Sequence, residues 1–109
     1  MASPSVESLE KLVGTPRDGA LLRFSLGMEF LKAGNAEKAT EYLRDAVSRD
    51  PGYSAAWRAL GKALEAAAQP AAALESYRSG IAAAQKKGDK QAEKEMSVFA
   101  RRLEKKGAA

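Results

Sequence analysis

Ser54-Ala-Ala-Trp57-Arg-Ala-Leu60-Gly61-Lys62-Ala-Leu64, followed by Pro70-Ala-Ala-Ala73-Leu-Glu-Ser-Tyr77-Arg-Ser-Gly80, is the stretch that decides the fold. Trp57, Leu60, Gly61 and Leu64 recur at three- and four-residue spacing, which puts them on one side of a helix. Ala73, Tyr77 and Gly80 do the same on a second helix. Between the two, Pro70 suits a first helical position, where a missing N–H costs nothing.

The earlier chain repeats this pattern. An offset of 34 residues joins Gly27 to Gly61, Leu26 to Leu60, Ala39 to Ala73 and Leu43 to Tyr77. The same offset joins Glu41 to Glu75, Arg44 to Arg78 and Val47 to Ile81. The run W-x2-L-G-x2-L, then A-x3-Y, at this period, resembles the tetratricopeptide repeat. The likeness covers residues 20–87, and the flanking segments only by architecture. The first copy departs from the signature with Arg23 in the tryptophan position and Leu43 for the aromatic, and Gln85 stands where the first copy has Pro51.

The resemblance implies an all-α fold, a right-handed stack of antiparallel helix pairs. We expect one domain over residues 1–109. It would comprise a short N-terminal helix (3–13), two repeats (16–51 and 53–87) and a capping helix (89–106).

Local signals set these bounds. Ser3-Pro4 reads as a cap and first turn, with Val6, Leu9, Leu12 and Val13 as the apolar side. Thr15-Pro16-Arg17-Asp18 reads as a capping box opening the next helix, which ends at Gly34. Asn35 caps a helix that closes before Pro51, and Gly88 ends the one that starts at Pro70. On the last helix Ala92, Met96, Phe99, Ala100 and Leu103 form a single apolar stripe, as a terminal helix with no further repeat to cover it requires. That polar outer side and the capped start lead us to expect a complete unit.

Gly27 and Gly61 are expected to let the partner helix approach, with Ala39, Ala46, Ala73 and Gly80 as the small surfaces opposite. Trp57 is expected to carry the largest share of the packing.

Composition narrows the chemistry. The chain has no cysteine and no histidine. That removes disulfides, zinc sites of the usual ligand types, thiol nucleophiles and any Ser-His-Asp triad. Carboxylate pairs such as Glu37 and Glu41 are ordinary on an exposed helix, and Gly34-Asn35-Ala36-Glu37-Lys38 lacks the second glycine of a phosphate loop. We therefore expect no enzyme, no cofactor and no metal. The start carries no secretory signal, and no stretch approaches the roughly 20 apolar residues of a membrane span, so a cytoplasmic protein without membrane contact is expected.

The resemblance implies a protein-interaction module whose ligand lies on a concave face lined by the first helix of each repeat. By position, the first repeat offers Leu21, Phe24, Met28 and Leu31, and the second offers Ala55, Arg58, Lys62 and Glu65. One half is apolar, the other charged. The family's clamp for a peptide C-terminal carboxylate is absent, since Phe24, Met28 and Ala59 hold the matching positions. Arg58 and Lys62, one turn apart, can attract a carboxylate, but they read first as ordinary solvated surface charges balanced by Glu65. Leu22, Leu26 and Phe30 already face the core, so this helix is apolar on two sides. Its second stripe has three possible covers: the N-terminal helix, a second copy in a homodimer, or an external peptide helix.

The net charge of +4 is concentrated in the last quarter, with Arg101, Arg102, Lys105 and Lys106 at the end. Nucleic acid is the alternative partner that such a helix suggests. The interleaved Asp89, Glu93, Glu95 and Glu104, and the lack of a stacking platform, argue against it.

Overall fold

The computed structural model describes residues 4–107. Six helices follow in order: α1 (Pro4–Glu10), α2 (Ala20–Lys32), α3 (Ala36–Arg49), α4 (Ser54–Ala66), α5 (Pro70–Lys87) and α6 (Lys90–Lys105). Each packs chiefly on its neighbours in sequence, and α2 and α6 both also touch α4. Among the described residues there is no strand. The architecture is a helical-repeat stack in which α2/α3 and α4/α5 are successive pairs and α6 closes the end.

The caps explain the helix bounds. Asn35 accepts from Lys38 N–H and Asp89 from Ala92 N–H, each satisfying a donor that a helix start leaves free. At their C-termini α2, α4 and α5 finish alike. The N–H groups of Asn35, Gln69 and Asp89 reach back to the carbonyls of Phe30, Leu64 and Ala84 at 2.9, 2.8 and 2.9 Å. This closure needs a left-handed residue just before. Gly34 (φ 82°) and Gly88 (φ 73°) supply it, while α4 uses Ala68 at φ 58°.

The opening of α2 differs from expectation. The helix starts at Ala20, not at Pro16. Residues 11–19 instead form a turn in which the Asp18 carboxylate accepts from Gly14 N–H (2.9 Å) and from two guanidinium nitrogens of Arg23 (3.0 and 2.8 Å). A carboxylate engaged from both sides is not free to cap a helix at Thr15. α1 correspondingly ends at Glu10 rather than at 13. The expected cap Ser3 lies outside the described residues.

Gly27 and Gly61 do mark the close crossings, but what meets them is large. A Cβ at Gly27 would stand 2.6 Å from Leu43 Cδ2, and one at Gly61 2.6 Å from Tyr77 Cδ1. Gly80 meets Met96 and the Cβ of Trp57 at 2.8 Å. So bulk on the second helix of each pair fills the gap that glycine leaves on the first.

Tyr77, not Trp57, is the largest fully buried side chain. Trp57 is half-buried and donates its indole N–H to the Pro51 carbonyl at 2.8 Å. Its counterpart Arg23 is also half-buried and is held in ion pairs with Asp18 and Asp45. The tryptophan position therefore tolerates a charge in the first pair, because Asp18 and Asp45 stand ready to neutralise it.

Candidate functional site

α1 settles on one side of α2. Val6, Leu9 and Leu12 pack with Leu22, Leu26, Phe30 and Tyr42, and the Phe30 and Tyr42 rings stack 5.6 Å apart. The other apolar stripe of α2 is not covered by this helix. Leu21 is 69% exposed and Met28 36%. Phe24 is half-buried against Tyr53, with ring centroids 5.0 Å apart, and Leu31 leans on the main core. Part of the stripe is thus used to seat the second repeat, and Leu21 and Met28 are left facing water.

The equivalent positions of α4 carry Ala55, Arg58, Lys62 and Glu65. Ala55 is exposed and the three charged residues are half-buried. Two of these, Arg58 and Lys62, meet a side chain from α6. The Lys62 ammonium stands 3.6 Å from the centroid of the Phe99 ring, with the guanidinium of Arg102 at 5.4 Å and that of Arg58 at 5.8 Å. A ring face attracts cations through its quadrupole, more so where water is thinned out.

The nearby carboxylates are only loosely engaged with these cations. Glu95 Oε1 lies 3.9 Å from Arg58 Nε and Glu65 Oε1 4.0 Å from Arg102. Glu65 is instead bound through its other oxygen to the Tyr77 hydroxyl, which donates to it. Burial raises the tyrosine's pKa far above its ordinary range, and the hydrogen bond to Glu65 adds to this. Burial lowers that of Lys62, because a desolvated ammonium is disfavoured, with Glu65 opposing and Arg102 and Arg58 assisting.

Of the seven expected site residues, the fold brings Arg58 and Lys62 to one ring, sets Glu65 beside Arg102 and the Tyr77 hydroxyl, and leaves Leu21, Phe24, Met28 and Leu31 together on the adjoining α2. Phe99, Arg102 and Glu95 belong with the charged half and were not expected there. Their spacing of three and four residues was the available signal, but Phe99 reads from sequence as core alone.

Two clefts on the outer side, of about 290 and 370 Å³, flank Trp57. Ser76, in the first, donates its hydroxyl proton to the Trp57 carbonyl at 2.9 Å, so that proton is held by the backbone. Among the described residues no cluster could hold a metal ion, and no helix is long and apolar enough to cross a membrane. On α6, Arg101, Arg102 and Lys105 are all exposed, and Arg102 also leans toward Phe99.

Comparison with known proteins agrees with this architecture. A family model described as tetratricopeptide repeat matches residues 30–93. The chain is 52% identical over 99 residues to the TPR repeat-containing protein PA0015 of Pseudomonas aeruginosa, spanning 91% of this chain and 94% of that one. Its fold is similar to the solution structure of protein BPP2914 from Bordetella parapertussis, with TM-score 0.81, 41% identity and coverage of 99% and 93%. It is also similar to the crystal structure of the Sgt2 TPR domain from Aspergillus fumigatus, with TM-score 0.78, 26% identity and coverage of 95% and 69%.

Proposed function

Since the chain belongs to the tetratricopeptide-repeat family, whose domains generally mediate protein–protein interaction, we propose that it is a non-catalytic interaction module holding a segment of another protein in the groove lined by α2 and α4. The observation that carries this reading is the uncovered stripe on α2. Leu21 and Met28 stay in water although α1 is at hand and packs elsewhere on the same helix. With Phe24 and Leu31 half-buried between and beside them, they form an apolar stripe on which a partner segment can dock.

A photo-crosslinking amino acid placed at Leu21, and separately at Arg44 on α3, tests this in the producing cell. The expected result is an adduct with another protein from position 21 that disappears when Met28→Glu is added, and none from position 44. Adducts from position 44 alone would reject the groove. An adduct of twice the chain's own mass at position 21 would replace the reading with self-association.

A further inference from the structure

The charged half of the groove defines what kind of segment fits. Three cations converge on Phe99, yet among the described residues none of Arg58, Lys62 and Arg102 donates a hydrogen bond to another group of the protein. Three other arginines of the chain are paired more closely. Arg23 reaches Asp18 at 2.8 Å, Arg78 reaches Glu104 at 2.6 Å and Arg49 reaches Asp45 at 3.2 Å. At Phe99 the approaches are 3.9 and 4.0 Å, beyond hydrogen-bond range, and Arg58 Nε is buried without an acceptor. Glu65, the acid best placed to answer, is already bound by the Tyr77 hydroxyl.

We infer that this cluster receives the carboxylates of an acidic partner segment, with Lys62, Arg58 and Arg102 as donors and Phe99 as the platform that holds them in place. The inference rests on the groove proposed above and names the chemistry of its occupant. Positive charges exceed negative ones here, since Glu65 and Glu95 face three cations. Long cationic side chains normally lose freedom on binding; leaning on a ring, they lose less. Lys62 is half-buried with no acceptor of its own, so an arriving carboxylate restores the partner that burial has denied it.

The adjoining stripe of Leu21, Phe24, Met28 and Leu31 sets the second requirement, apolar side chains on the same segment. Phosphate-rich ligands fit less well. The ring face is occupied by Lys62, leaving no surface there on which a base can stack.

Selecting a random-peptide library on the full chain tests this without knowing the natural partner. The expected consensus joins Asp or Glu to large apolar residues. Its affinity should fall about tenfold in Lys62→Gln and in Arg102→Gln, while a copy of the peptide with amides for its carboxylates binds parent and variants alike. Circular dichroism and melting establish that each variant is folded, and Arg102, on the exposed side of α6, serves if Lys62→Gln is not.

A consensus without acidic excess would overturn the inference. So would an acidic peptide that binds the variants as tightly as the parent, or a single-stranded oligonucleotide that displaces it and is equally weakened by them. Binding lost in Met28→Glu but indifferent to Lys62→Gln keeps the groove and rejects only the acidic partner. Binding indifferent to both, or no binder at all, rejects both.

Discussion

The ring of Tyr77 occupies the space in which a side chain at Gly61 would have to stand: a Cβ there would lie 2.6 Å from both Cδ1 and Cζ. Leu43 stands to Gly27 in the same way, 34 residues earlier. The two glycines are thus half of a complementary pair, and the period of the sequence is the period of that pairing.

Gly61→Ala should therefore destabilise the protein by about 1–3 kcal/mol, the usual cost of overpacking a filled crossing. The Tyr77 ring cannot withdraw, being fully buried and tied at its hydroxyl to Glu65. Gly27→Ala should cost less, because Leu43, although equally buried, is an aliphatic side chain with no hydrogen bond to hold it in place. Urea unfolding of the two variants checks both the sign and the order. Equal costs would mean that the tether to Glu65 does not matter.

Ala68→Gly should act in the opposite direction. Ala68 is the one non-glycine residue with positive φ among the described residues, at the position where the first repeat has Gly34. A Cβ in the left-handed region costs about 1–2 kcal/mol, and glycine returns roughly 0.5–1 of that as extra freedom in the unfolded chain. A net gain of up to about 1 kcal/mol in thermal or urea unfolding is expected.

Tyr77 also ties stability to alkaline pH. Its folded pKa lies far above that of a free tyrosine, chiefly through burial and then through the hydrogen bond to Glu65. Above about pH 10 the unfolded chain releases this proton and the folded one keeps it, so stability is complete below that pH and declines as pH rises past it. Tyr53 contributes with the same sign through its burial, and Lys62 with the opposite sign. Both remain in Tyr77→Phe, so the change in slope isolates Tyr77. The variant should lose about 1–3 kcal/mol at neutral pH, the cost of leaving a half-buried acceptor unanswered, and should fall less steeply above pH 10.

The sequence by itself determined the helices and their pairing. Caps, C-terminal turns and apolar spacing act within a few residues, which is why α3 and α5 run from Ala36 to Arg49 and from Pro70 to Lys87 as their end signals require. The two glycines and their 34-residue offset fixed which helices cross closely. The start of α2 departs from its cap signal because a competing local partner wins: Asp18 binds Gly14 and Arg23, a few residues to either side, rather than capping a helix at Thr15.

Only the tertiary structure decided which side of α2 receives α1 and what surrounds Phe99. Both sides of α2 are apolar, so periodicity cannot choose between them. The choice follows from the turn held by Asp18 and from Tyr53, which already occupies Phe24. Likewise Arg58 and Lys62 read as ordinary surface charges until α6 lays Phe99 beneath them, a contact across more than thirty residues that no local pattern records.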